Sequence, residues 1–330
     1  MIQQLISLQP TVIPWVLLLI GFAALVKGAD FFVDGAASMA RKLGISAAIV
    51  GLTIVAMGTS APEAAVSITA GVQASFFGVT GAADMAVGNI IGSNLFNLLF
   101  ILGVCMMIKP IPTSLCSLKR DFPWAIGSTL LFIPMIMDGK LVLAEGIVLA
   151  TLFMAYIGWM VYQSIKNRQV VEGETKLMPL SKSLLLFGVG LGMIILGGQL
   201  VVNSATSIAE NFGMDSTLIG LTICAIGTSL PELVTSVVAA RKGESELAVG
   251  NVIGSNIFNL LFILGTTVTI SPISVNTDMM IDTIILLVAT AAVMLFSYTR
   301  MQCDRKEGII IFTAYIGYTV YIILRAYGLI

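Results

Sequence analysis

The sequence predicts an all-α integral membrane protein of ten transmembrane helices, built as two inverted five-helix repeats in which helices 2 and 7 are broken. Three observations carry this expectation. The chain of 330 residues is 57% hydrophobic and 11% charged, whereas soluble domains carry about 25% charged residues. An apolar stretch long enough to cross a bilayer, yet interrupted by Gly, Thr, Ser, Pro and Glu, occurs twice, at 51–63 and 220–232. Lysine and arginine also collect in alternate loops, as they do on the cytoplasmic side of polytopic proteins.

Hydropathy at bilayer length places spans at 11–40, 46–73, 82–107, 121–138, 141–164, 183–209, 215–240, 246–270, 278–298 and 307–327. Residues 1–10 hold no Lys or Arg. A secretory signal peptide needs a basic n-region, so the first span is read as a membrane helix. In span 2, Pro62 lacks an N–H and leaves the Gly58 carbonyl without its helical partner. Such a break is tolerated in hydrocarbon only where protein or a watery cavity satisfies the backbone. Glu63 lies beside it, and a charged carboxylate at the bilayer centre costs about 2.5–3.5 kcal/mol on insertion scales. Span 7 repeats both features at Pro231 and Glu232. The connector 165–182 is too short to fold as a domain, and it divides a first repeat (1–164) from a second (183–330).

Loops after the odd-numbered spans carry Arg41, Lys42, Lys109, Lys119, Arg120, Lys166, Arg168, Lys176, Lys182, Arg241, Lys242, Arg300, Arg305 and Lys306. The other side has Lys140 and Arg325 alone, and Lys27 falls inside span 1. The bias puts the N-terminus outside and the odd-numbered loops in the cytoplasm, in the plasma (cell inner) membrane. Residues 51–67 and 220–236 match at 11 of 17 positions, and residues 86–103 and 248–265 at 16 of 18. Five spans separate each element from its copy, and an odd number inverts the copy. Inverted repeats around a midplane site made from broken helices are a secondary-transporter architecture.

Thr59, Glu63 and Ser67 recur at helical spacing on one face of span 2, and Thr228, Glu232 and Ser236 on span 7. Asn89, Ser93 and Asn97 do so on span 3, and Asn251, Ser255 and Asn259 on span 8. Gly88, Gly92, Gly250 and Gly254 are spaced to let helices approach closely. Every repeated candidate ligand is a hard oxygen, which suits Ca²⁺ or Na⁺ rather than zinc or copper. The bland alternative is helix packing, but an intramembrane carboxylate is a functional candidate by default. Lys27, Asp30 and Asp34 share a face of span 1, where Lys27 and Asp30 read as a neutralising pair. Asp84 and Glu246 open spans 3 and 8, where a carboxylate favours the helix N-terminus. Trp15, Trp124 and Trp159 read as interfacial or lipid-facing.

Cys105, Cys116, Cys224 and Cys303 lack metal or disulfide spacing. The absence of histidine removes Ser–His and Cys–His dyads, HExxH zinc sites and histidine proton relays. The net charge of −1 gives no field for nucleic acid. No enzymatic chemistry is expected.

Two copies of G-T-S-x-P-E, each followed by G-N-x-x-G-S-N-x-F-N, resemble the alpha repeats of the sodium/calcium exchanger (cation/calcium antiporter) superfamily, in its prokaryotic type. The resemblance runs along nearly the whole chain. It implies an antiporter exchanging Ca²⁺ for Na⁺, with three Na⁺ per Ca²⁺ favoured and spans 1 and 6 sliding over a fixed eight-helix core. It implies Glu63 and Glu232 as central ligands, with oxygens of Thr59, Ser60, Thr228 and Ser229 added and Ser93, Asn97, Ser255 and Asn259 completing the site. Carbonyls of Ala56 and Ala225 match flanking sodium positions. Some members have Asp where this chain has Asn259, so this site carries two acids. No cofactor is expected beyond the transported Ca²⁺ and Na⁺. The bilayer is the one partner implied, with no protein partner evident and a monomer sufficient. A Ca²⁺/H⁺ antiporter using the same carboxylates is the nearest alternative, and a cation channel a further one.

Overall fold

The structure is a computed structural model, and it describes residues 12–113, 115–166, 178–212, 225–276, 278–326 and 329. Residues 215–224 of the seventh expected span, with Cys224, the N-terminal 1–10 and most of the connector lie outside the described residues. What is described is almost wholly helical. Seven helices, or eight counting one bent pair, are long and apolar enough to cross a membrane.

Helix α1 (Ile13–Leu43) starts with proline in its first turn and stops at Gly44, whose φ of 66° favours glycine. The second span is broken into α2 (Ala47–Thr59) and α3 (Ala61–Phe77), which meet at 51°. The break falls on Ser60, two residues before the proline. A π-helical turn at Gly51–Val55 precedes it, and spacing alone did not foretell that turn. Helix α4 (Ala82–Ile108) and α11 (Ser245–Ile270) are the innermost, with 78% and 89% of their most apolar windows buried. Each has a π-helical insert, Phe96–Ile101 and Phe258–Ile263, with the identical sequence FNLLFI.

Between them run β1 (Ile111–Pro112), α5 (Leu115–Lys119), α6 (Asp121–Met135), β2 (Lys140–Leu141), α7 (Leu143–Lys166) and α8 (Leu180–Asn211). The described part of the second broken span is α9 (Ala225–Thr228) and α10 (Leu230–Lys242). After α11 come β3 (Ile273–Ser274), α12 (Met279–Arg300), β4 (Gln302–Cys303) and α13 (Arg305–Ala326). Helix α6, at 15 residues, is shorter than a usual spanning helix.

Helices α1 and α8 pack antiparallel along their length. The contact needs glycine: a Cβ on Gly28 would lie 2.9 Å from the Gly190 carbonyl, and one on Gly190 2.6 Å from the Gly28 carbonyl. A second close crossing seats Gly250 and Gly254 against α2, where a Cβ on Gly254 would meet the Leu52 backbone at 2.6 Å. This is the packing expected of these glycines. A Cβ on Gly88 would meet only the Met279 side chain, at 3.4 Å, and one on Gly92 nothing within 4 Å among the described residues.

The short strands tie loops together. β1 pairs antiparallel with β4, and β2 with β3. Arg41 pairs with Glu244 at 2.7 Å, and Lys242 with Asp34 at 2.8 Å and Asp30 at 3.3 Å. The expected Lys27–Asp30 pair is loose at 4.0 Å, with Lys27 exposed; Lys242 lies closer to Asp30. Asp84 accepts from the Asn276 amide rather than capping its own helix. Trp15 is exposed, whereas Trp124 is half-buried, its ring tilted against those of Tyr156 and Trp159 at centroid distances of 5.1 and 6.2 Å.

Candidate cation site

The two breaks bring the repeats face to face. After Ser60 the chain restarts as α3, which puts Glu63 in that helix's first turn. After Ser229 it restarts as α10, with Glu232 in its first turn. Positive partial charge at a helix N-terminus favours a carboxylate there. Both glutamates are fully buried. Each accepts a hydrogen bond from the serine at the other repeat's break, Ser60 Oγ donating to Glu232 Oε1 at 2.7 Å and Ser229 Oγ to Glu63 Oε1 at 2.8 Å, and the neighbouring threonines, Thr59 for Glu232 and Thr228 for Glu63, also hydrogen-bond to them. The second oxygen of each, Oε2, has no protein partner. No Lys or Arg among the described residues pairs with either carboxylate.

Around them the same pattern repeats. Ser93 Oγ, Ser255 Oγ, Asn97 Oδ1 and Asn259 Oδ1 are buried and also lack a protein partner. Together with the two Oε2 atoms they form three repeat-related pairs, all acceptor oxygens or hydroxyls. An unsatisfied buried polar atom costs about 1–3 kcal/mol, more if charged. The helices that carry these six pack together, α3 against the π-helical insert of α11 and α10 against that of α4; Tyr156, Ser204, Thr235 and Ser271 also bury a hydroxyl without a partner. Among the described residues no group of three or more His, Cys, Asp or Glu is placed to hold a metal.

The remaining sequence-named residues lie around this core. Thr59 is buried; its hydroxyl donates to the Val55 and Ala56 carbonyls and lies 3.1 Å from Asn251 Oδ1. Ser67 accepts from Asn89 Nδ2, and Ser236 from Asn251 Nδ2, each at 2.9 Å. These serines hold asparagines of α4 and α11 and already have partners. Ala56 is buried and its carbonyl also accepts from the Ser60 amide. Thr228 closes α9, and Ala225 opens it.

The spacing argument passed over Asn94 and Asn256. Both are buried. Asn94 Nδ2 donates to the Asn256 carbonyl and Asn256 Nδ2 to the Asn94 carbonyl, at 3.2 and 3.1 Å. Their side-chain oxygens accept from Asn259 and Asn97, at 3.0 and 3.3 Å. The one sequence signal was their identity in both copies.

A bundle of apolar helices enclosing an oxygen-lined, twofold-repeated pair of carboxylates is the anatomy of a membrane cation transporter, not of an enzyme. The family model of the sodium/calcium exchanger protein matches residues 13–162 and 182–324. The chain belongs to the sodium/calcium exchanger family. It is 41% identical over 314 residues to the putative antiporter CaxA of Alkalimonas amylolytica, covering 92% of this chain and 96% of that one. It is 32% identical to the sodium/calcium exchanger MaX1 of Methanosarcina acetivorans, covering 93% and 97%. Its fold matches the structure of the sodium-calcium exchanger NCX_Mj soaked with Na⁺ and Sr²⁺, with a TM-score of 0.82 at 28% identity over 93% of this chain and 97% of that chain.

Proposed function

We propose that the chain exchanges Ca²⁺ for Na⁺ by alternating access to a site midway through the bilayer. The observation that carries the reading is the set of six partnerless oxygens on Glu63, Glu232, Asn97, Asn259, Ser93 and Ser255. Ca²⁺ takes 6–8 oxygens in flexible geometry, and two carboxylates balance one Ca²⁺ or two Na⁺. Hydroxyl or backbone oxygens of Thr59, Ser60, Thr228 and Ser229 and the Ala56 and Ala225 carbonyls stand close enough in sequence to extend the shell, with Ser67 and Ser236 one hydrogen bond outside it. The names of MaX1 and NCX_Mj support the Na⁺/Ca²⁺ pair.

The plan is ten spans in two inverted repeats, 1–164 and 183–330, joined by the linker 165–182, with an outside N-terminus in the cell inner membrane. Loop contacts support this plan. β1–β4 and Arg41–Glu244 join segments that follow odd-numbered spans. β2–β3 and the Ser75–Pro272 hydrogen bond join segments that follow even-numbered ones. Each set therefore lies on one side. The α1–α8 pair is the moving unit: it lies across both breaks, where Gly58 meets Leu191 and Gly198 meets Pro231.

The test is Ca²⁺ uptake into vesicles with and without an opposing Na⁺ gradient. Uptake that follows the Na⁺ gradient is expected. Uptake driven by a proton gradient alone would assign a Ca²⁺/H⁺ antiporter to the same carboxylates, and flux without any counter-ion a channel.

A further inference from the structure

Asn97 and Asn259 each present a buried amide with its oxygen unpartnered. An amide turned by 180° would offer two N–H donors to a cation instead, and the two ends are nearly the same shape. Something must choose the end, and the neighbouring asparagines supply it. The acceptor for Asn94 Nδ2 is the Asn256 backbone carbonyl, which can only accept. That contact fixes the nitrogen of Asn94 and therefore turns its oxygen the other way, toward Asn259. Asn259 must then offer its nitrogen there, as it does at 3.0 Å, and its own oxygen is left for the site. The mirror chain runs from the Asn94 carbonyl through Asn256 to Asn97. Each chain starts on a group of fixed polarity, so neither amide is free to choose. Both chains cross from one repeat to the other, next to the π-helical inserts that begin two residues after Asn94 and Asn256.

We propose that Asn94 and Asn256 are positioning residues that lock the amide oxygens of Asn259 and Asn97, respectively, toward the transported cation. The inference rests on the reading of Asn97 and Asn259 as cation ligands. Outer-shell partners of metal ligands typically change affinity by about 10–100-fold, and a loss in that range is expected for Asn94→Leu and for Asn256→Leu.

The wiring is crossed, and this gives the test. In purified full-length protein, Ca²⁺ and Na⁺ affinities are measured by calorimetry for the single variants and for double-mutant cycles. Asn94→Leu is expected to lose most of its effect in an Asn259→Ala background and to keep it in Asn97→Ala. Asn256→Leu is expected to behave the opposite way. A general packing defect would not distinguish the two backgrounds. Should a leucine variant fail to insert, Asn94→Ala and Asn256→Ala run the same cycle. If Asn97→Ala and Asn259→Ala lower affinity but residues 94 and 256 add equally in both backgrounds, the positioning role is overturned while the site stands. If neither ligand substitution changes affinity, the site reading itself falls.

Discussion

Glu63 and Glu232 each bind a serine of the opposite repeat through one oxygen and leave the other without a protein partner. The two halves are thus joined at the charged atoms themselves. Glu63→Gln or Glu232→Gln keeps shape and removes half the fixed charge facing a divalent ion. Ca²⁺ transport is expected to be lost with membrane insertion near normal, since a buried neutral amide costs less than a charge. Flux assays beside surface expression check this, and retained exchange in either variant would take that residue out of the site. Among the described residues, six of the ten partnerless buried side-chain oxygens fall on residues that helical spacing in the two copies had singled out; those of Tyr156, Ser204, Thr235 and Ser271 do not. Asn94 and Asn256 did not stand out because each sits next to a serine of the marked face, off its register. Their roles depend on pairing across repeats, which spacing along one helix cannot express.

Among the elements, the broken span shows what was legible and what was not. A proline beside a carboxylate in an apolar run announced the interruption. The location of the bend at Ser60 did not follow, because the last α-helical bond before it is made by the Ser60 amide to Ala56. The π-helical turns were also silent in the sequence, since FNLLFI reads as ordinary helix. Pro62→Ala restores an N–H able to bond to the Gly58 carbonyl, and because Pro62 stands in the first turn of α3, where proline is tolerated, the gain expected is a straighter span rather than a large change in stability. Straightening would carry Glu63 away from Ser229. A folded protein with weakened Ca²⁺ affinity is expected in a binding titration, and unchanged affinity would make the break incidental to binding.

For the whole molecule, the apolar composition and the repeats announced an all-helical membrane fold, while the antiparallel α1–α8 seam needed coordinates: its glycines recur in both halves, Gly21 and Gly28 at the spacing of Gly190 and Gly197, but spacing alone does not say which helix they meet. The proposed orientation predicts that a single cysteine at Ser164 reacts from the cytoplasm and one at Phe76 from outside, in a background free of the native cysteines. Labelling of both from one side would dissolve the inverted plan. Charge balance gives a further expectation. Two carboxylates are neutralised by one Ca²⁺, and a third Na⁺ would leave the loaded site at about +1, which low dielectric disfavours without another acid. Three-for-one exchange therefore puts the third Na⁺ on neutral oxygens and makes the cycle electrogenic. Its reversal potential at fixed gradients should shift with voltage, and a voltage-independent flux would point to two monovalent ions per Ca²⁺. Asn259→Asp should favour the sodium-loaded form.

The ion pairs on α1 have one more implication. Lys242 with Asp30 and Asp34, and Arg41 with Glu244, tie α1 to α10 and the turn after it. Among the described residues α8 makes no ion pair at all, and Asn203 stands where a copy of Asp34 would fall. Exposed pairs of this kind are each worth about 0–1 kcal/mol and are weakened by salt. The two membrane faces should then answer differently to electrolyte. In the proposed orientation, raising ionic strength on the cytoplasmic side of oriented vesicles should loosen the α1 tether and speed the step that opens inward, whereas the same salt outside should leave that step unchanged.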